Sequence, residues 1–203
     1  MLQFFSKLKL AVQNAQFRLW QRRNPGATFK DYFATLVRDG VQNGYLHPTL
    51  GENLRDGNFG EFGLATFERL QKYGLKPDDV FVDYGCGTLR VGIHAIRFLA
   101  PGRYWGLDID QCLLDAGARL IGSELMADKR PQLAVISPIQ VKHVAESKPA
   151  LLFSVAVLIH VHPDELALEL VERRGDRAAR VCVRVGDAVL AGRAVRRVHH
   201  RVD

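Results

Sequence analysis

The chain has 203 residues, 47% hydrophobic and 25% charged, with a formal net charge of +6, a balance ordinary for one globular domain with a substantial core. Cys86, Cys112 and Cys182 are odd in number and far apart, which excludes a disulfide framework or a Cys-type zinc site and points to a reducing, cytoplasmic compartment. No stretch is long and apolar enough to cross a bilayer, and Lys7 and Lys9 interrupt the only apolar run near the start.

Residues 1–50 read as a helical extension. Phe4, Phe5, Leu8, Ala11, Val12, Ala15 and Leu19 recur at helical spacing beside Lys7, Lys9, Arg18, Arg22 and Arg23. Such a helix has two uses: peripheral contact with an anionic membrane, or packing on the domain or a partner subunit, which is preferred. Asn24-Pro25-Gly26 ends it, and a second helix is predicted from Phe29 to Val37. A glycine-rich piece, Gly40 to Gly63, leads to a helix from Leu64 to Tyr73, closed by the stop signal Gly74-Leu75-Lys76-Pro77.

From Val80 to Asp110 the chain reads as strand, glycine turn, helix and second strand ending in an acid, the order of the nucleotide-binding half of a doubly wound α/β domain. Val80 to Val82 is an apolar run suited to a strand buried on both faces. Gly85 and Gly87 can take positive φ and let backbone N–H groups approach a ligand across the strand end. Leu89, Val91, Ile93, Ile96 and Phe98 continue as a helix ending before Pro101-Gly102, and Tyr104 to Leu107 is the second strand. Asp108 follows it, about 25 residues after Asp83, where a carboxylate can accept both ribose hydroxyls. Asp110, at the next inward-facing position, is its rival. A dinucleotide fingerprint wants a third glycine where Arg90 stands, and no lysine followed by serine or threonine marks a P-loop.

What remains, Asp83-Tyr84-Gly85-Cys86-Gly87, resembles motif I of the class I S-adenosylmethionine (SAM)-dependent methyltransferases, in which Gly-Cys-Gly-Thr is common. The resemblance covers about Gly57 to Leu170. It implies a Rossmann-like, mostly parallel sheet with SAM as cofactor, Asp83, Gly85 and Gly87 lining its methionine part, Tyr84 and Cys86 in the cofactor-binding set, and Asp108 on its ribose. Leu89 departs from the family's usual third glycine. Helices before the first strand cover the SAM pocket in this family, so Phe59 and Phe62 are either lid or core. Arg90 meets a carboxylate of SAM or of the acceptor, or forms a surface salt bridge.

A third strand is predicted from Leu133 to Ile136 and a fourth from Leu151 to Val157, with acceptor chemistry in the loop beyond it. Ser154 and His160 match the family's Ser-x-x-x-x-x-His pattern, followed by Pro163, Asp164 and Glu165, which suit a helix first turn. By that resemblance Ser154 joins the cofactor-binding set. His160 is the catalytic candidate, either as a base or as a neutral hydrogen-bonding group. A metal pair of His160 and His162 would need further ligands that the sequence does not supply nearby, so no metal is expected.

Residues 51–171 thus form the SAM-binding domain, and 172–203 differ. From Glu172 onward the chain carries nine arginines and no lysine or aromatic residue. One explanation is a nucleic-acid-binding tail. The preferred one is a reading frame altered near Val171 in a GC-rich gene, the segment being the changed remainder of the same domain. Arg180 to Val185 alternates and is expected to pair as a fifth strand, but too few residues remain for the family's usual closing strands, so the acceptor side and sheet edge are expected to be incomplete. The expected activity is methyl transfer to an oxygen or nitrogen of a small-molecule or saccharide-type acceptor. No Asn-Pro-Pro-Tyr-type sequence follows strand four, which counts against nucleic-acid bases. The alternatives are a non-catalytic SAM-binding or interaction protein, a nucleic-acid binder through the Arg-rich end and, weakest, an NAD-dependent enzyme.

Overall fold

The computed structural model describes residues 12, 15–43, 59–155 and 157, together with the backbone of 180–185 and 188–193. The elements are α1 (Phe29–Asn43), α2 (Gly60–Lys72), β1 (Phe81–Tyr84), α3 (Gly92–Phe98), β2 (Tyr104–Asp108), α4 (Gln111–Ile121), α5 (Ser123–Lys129), β3 (Gln132–Val135), α6 (Pro138–Glu146), β4 (Leu151–Val155), β5 (Arg180–Val185) and β6 (Ala188–Arg193). The six strands form one sheet in the order β3-β2-β1-β4-β5-β6. β1 to β5 pair in parallel and β6 returns antiparallel to β5. The order reverses between β1 and β4, which opens a crevice at the carboxyl ends of those strands.

Strand alternation divides the core into two layers. Phe81, Tyr104, Leu151 and Phe153 project to the face covered by α2, α3 and α4, where they join Leu70, Ile93, Ile96 and Leu114. Val82 and Leu107 project to the opposite face and pack with Val144 of α6. Full burial of each large apolar side chain contributes roughly 1.5–3 kcal/mol, so this doubly covered sheet is the rigid base on which the crevice stands.

The helix ends have local causes. Thr28 and Asp31 form a reciprocal capping pair at the start of α1: Thr28 N and Oγ1 both donate to Asp31 Oδ2 at 2.8 Å, and Asp31 N donates to Thr28 Oγ1 at 3.3 Å. α1 runs six residues beyond the predicted end at Val37, because Val37 and Gly40 continue the buried stripe begun by Phe29, Tyr32 and Phe33. α2 begins at Gly60, earlier than predicted. It ends with Leu75 N donating to Leu70 O and Gly74 N to Gln71 O, the paired bonds of a Schellman motif around Gly74 at φ 86°.

α3 begins at Gly92, later than predicted. Leu89 holds φ 64° and belongs to the turn, so the chain leaves the glycines through an extra bend before the helix starts. β4 ends at Val155, two residues short of its predicted end. The predicted fifth strand pairs with β4, and β6 lies along its outer edge. Of the N-terminal pattern, residues 15–21 are helical. Phe17 meets Phe29 edge-on at 5.2 Å between centroids and Trp20 lies 5.4 Å from Tyr32, whereas Leu19 is exposed. The first 11 residues lie outside the described part. Among the described residues no helix is long and apolar enough to cross a membrane.

Candidate functional site

The glycine turn is shaped by its neighbours. Gly85 and Gly87 adopt φ of 80° and 55°. A Cβ on Gly85 would collide with the side chain of Val157, so the chain beyond β4 presses on the turn and only glycine fits there. Cys86 is buried, and burial first, then the charges of Asp108 and Asp83, push its thiol well above the ordinary range, which removes it as a nucleophile.

The backbone N–H groups of the turn behave differently from expectation. Gly85 N and Cys86 N both donate to Leu107 O, at 2.7 and 3.1 Å, and Gly87 N donates to Asp108 Oδ2 at 2.6 Å. All three donors are used inside the protein, stapling the turn to β2. They do not form an open nest for an anionic ligand.

Asp83 and Asp108 flank this turn from the ends of β1 and β2, and both are buried. Asp83 Oδ2 accepts the Tyr104 hydroxyl at 2.8 Å. Burial pushes the Asp83 carboxyl up to about 7; the Tyr104 bond opposes the rise and the charge of Asp108 adds to it. Asp108 accepts Gly87 N on one oxygen and Ile109 N, at 2.7 Å, on the other. Burial outweighs both bonds and lifts its carboxyl to about 6. Neither carboxylate has a cationic partner among the described residues.

Asp110 is arranged otherwise. It is the N-cap of α4, accepts Cys112 N at 2.9 Å and pairs with Arg38 of α1 at 2.6 Å. Burial pushes its carboxyl upward, but the Cys112 bonds and the Arg38 guanidinium together hold it below the usual range. Its charge is spent on the helix end and on docking α1, beside the contacts of Phe29, Tyr32, Phe33 and Val37 with Leu113.

Of the other predicted site residues, Tyr84 is half-buried on the α6 face of the sheet. Ser154 is buried on β4, one position beyond the Phe153 that pairs with Asp83. The Arg90 guanidinium lies over the Phe62 ring, 4.4 Å from its centroid, and a Cβ on Gly63 would strike the Arg90 carbonyl oxygen, so α2 rests directly on the turn. Phe59 packs on the core and Phe62 is exposed at 37%. His160 lies outside the described residues. Sequence reasoning missed Tyr104 and Arg38. A tyrosine two residues before Gly106 was the available signal for the first; nothing local marked the second. Among the described residues no three His, Cys, Asp or Glu side chains cluster as a metal site.

No family model matches the chain, and no curated protein matches it in sequence. Solved structures do match. The magnesium protoporphyrin IX methyltransferase of Synechocystis with bound SAH is 19% identical, covering 65% of this chain and 58% of its own, with a TM-score of 0.46. Phosphoethanolamine N-methyltransferase 1 of Haemonchus contortus, in complex with phosphoethanolamine and S-adenosylhomocysteine, is 11% identical, covering 76% of this chain and 32% of its own, with a TM-score of 0.50. The chain thus spans less than two thirds of either protein. At these identities the likeness is one of fold: the chain has the Rossmann-like fold of the class I methyltransferases.

Proposed function

We propose that the chain is a SAM-dependent methyltransferase that transfers a methyl group to an oxygen or nitrogen of a small-molecule or saccharide-type acceptor, in the cytoplasm. One observation carries the reading: Asp83 and Asp108 are buried on either side of the glycine turn without a cationic partner among the described residues. Buried carboxylates without a counter-charge are costly, and a cationic ligand relieves that cost. SAM brings an ammonium and a sulfonium. A nicotinamide dinucleotide brings a negative pyrophosphate, for which the N–H groups of Gly85, Cys86 and Gly87 are already committed.

The bound sulfonium supplies an electrophilic methyl group, so the protein's task is alignment. Asp83 binds the ammonium end. Asp108, oriented by Gly87 N and Ile109 N, keeps lone pairs for the ribose hydroxyls. Asp110 is the weaker ribose candidate because Arg38 and Cys112 occupy it. Tyr84, Gly85, Cys86, Gly87 and Ser154 complete the cofactor wall, and Arg90, whose guanidinium lies over the Phe62 ring of α2, is the candidate beside it for a carboxylate of SAM or of the acceptor. His160, in the chain after β4, aligns the acceptor or takes its proton.

A second reading, SAM binding without turnover, is favoured by the change of composition after Val171. The two separate in one assay: incubation with SAM and panels of small hydroxyl and amine acceptors, followed chromatographically for S-adenosylhomocysteine. Formation that depends on an acceptor and is lost in His160→Ala supports transfer; SAM binding with no turnover on any panel supports the second reading.

A further inference from the structure

We propose that Tyr104 is a positioning residue for the cofactor site: its hydroxyl, admitted by Gly92 and Gly106, fixes one oxygen of Asp83 so that the other is presented to the cationic end of the ligand. The inference deepens the SAM reading and rests on it. Tyr104 stands at the start of β2, paired with Phe81, while Asp83 pairs with Gly106 two residues further along. Tyr104, Phe81 and Asp83 project to the same face, and the Tyr104 ring must lie along β2, past Gly106, to reach Asp83 Oδ2 at 2.8 Å. Two glycines keep that path open. A Cβ on Gly106 would sit 2.9 Å from the ring, and one on Gly92 would sit 2.5 Å from the hydroxyl. Tyr104 is 2% exposed and Asp83 3%, so no water competes for this bond from bulk solvent.

The titratable groups acting on Asp83 are Tyr104 and Asp108 of β2, with Cys86 of the turn nearby; no charged group of α3 or β4 does so among the described residues. The burial of Tyr104 holds its own hydroxyl protonated, as a permanent donor, and that donor favours the ionised form of Asp83. Removing it leaves a buried carboxylate that ionises less readily and is free to rotate.

The test is Tyr104→Phe, which keeps the ring against Phe81 and deletes only the donor. Calorimetric titration with SAM from pH 6 to 8.5 is paired with the carbon-13 carboxyl titration of Asp83 in the ligand-free protein. The wild type is expected to bind more tightly as pH rises through the Asp83 midpoint. In Tyr104→Phe that midpoint moves up by about one unit, and affinity at pH 7 falls roughly three- to tenfold, as the ionised fraction of Asp83 drops. The gap narrows towards pH 8.5. Gly92→Ala, which displaces the hydroxyl without removing it, shifts the midpoint in the same direction. If the wild type binds SAM and Tyr104→Phe gives the same affinities and midpoint, or an equal loss at every pH with an unmoved midpoint, the inference fails and the cofactor reading stands. If the wild type binds no SAM at any pH, both fall.

Discussion

Leu89 carries two opposed requirements. Its φ of 64° lies in the left-handed region, which costs a non-glycine residue roughly 1–2 kcal/mol, yet its side chain is fully buried between the turn and α4, where Gly117 leaves room for it. Leu89→Ala is expected to destabilise by about 2–5 kcal/mol in urea unfolding, the range for a buried leucine. Leu89→Gly loses the same contacts but relieves the backbone, so it should be the more stable of the two variants by about 1 kcal/mol, reversing the helical order of alanine and glycine. The carboxylates give a second residue-scale prediction. Asp83 and Asp108 titrate near 7 and 6 when folded and near 3.8 when unfolded, so between about pH 4 and 7 the folded protein holds protons that the unfolded chain has released. Stability of the ligand-free protein should therefore decline as pH rises from 5 to 8, seen as a falling Tm; a Tm rising across that window would contradict the burial of ionisable carboxyls. Asp110, held low, acts in the opposite sense below this window, and His94, whose imidazole burial and Arg97 hold below its usual range, acts in the opposite sense within it, one group against two. The acid-x-Gly-x-Gly pattern was legible in the sequence because turn chemistry is local. The inward use of its N–H groups was not, since their acceptors come from Leu107 and Asp108, some 20 residues away.

At the scale of elements, contacts explain where the boundaries moved. α1 outran its predicted end because its stripe continues onto α4, and α3 started late because the positive φ of Leu89 precludes helix there. The seat of α2 on the turn is the contact most open to test. Gly63 lies inside that helix, where alanine would ordinarily gain about 1 kcal/mol. Its Cβ would meet the Arg90 carbonyl oxygen, a backbone atom with little freedom to retreat. Gly63→Ala is therefore expected to lower stability by about 1–3 kcal/mol, as overpacking does, and to weaken SAM binding by shifting the turn. Unchanged or raised stability in thermal unfolding would mean that α2 is not seated there. Sequence spacing alone could not reveal this contact, because Gly63 reads equally well as part of a flexible glycine-rich piece.

For the whole molecule, the strand order follows from a few legible features: buried apolar runs at β1, β2 and β4, and crossovers long enough for parallel pairing. The closing edge was harder to read: the alternating run Arg180 to Val185 stood out, but its hairpin partner was missed, although Ala188 to Ala191 is apolar and only Gly186-Asp187 separates the two runs. The first run lies along β4 and β6 covers it, so the segment 172–203 contributes two strands to the same sheet. Ending the chain after Leu170 would expose the hydrogen-bonding edge of β4. The truncated protein is expected to aggregate or lose its cooperative thermal transition; a monodisperse product with an unchanged Tm would show that β5 and β6 add nothing to the fold.

The central claim is that two buried carboxylates beside the glycine turn hold the cationic cofactor. It is tested most directly by calorimetric titration of the full chain with SAM and, separately, with NAD, repeated on Asp83→Asn and Asp108→Asn. Saturable SAM binding by the wild type, at least tenfold weaker in each variant as expected for loss of a charged contact, with no heat from NAD, is the predicted result. A folded wild type that binds NAD and not SAM, or SAM affinity indifferent to both substitutions, would contradict it.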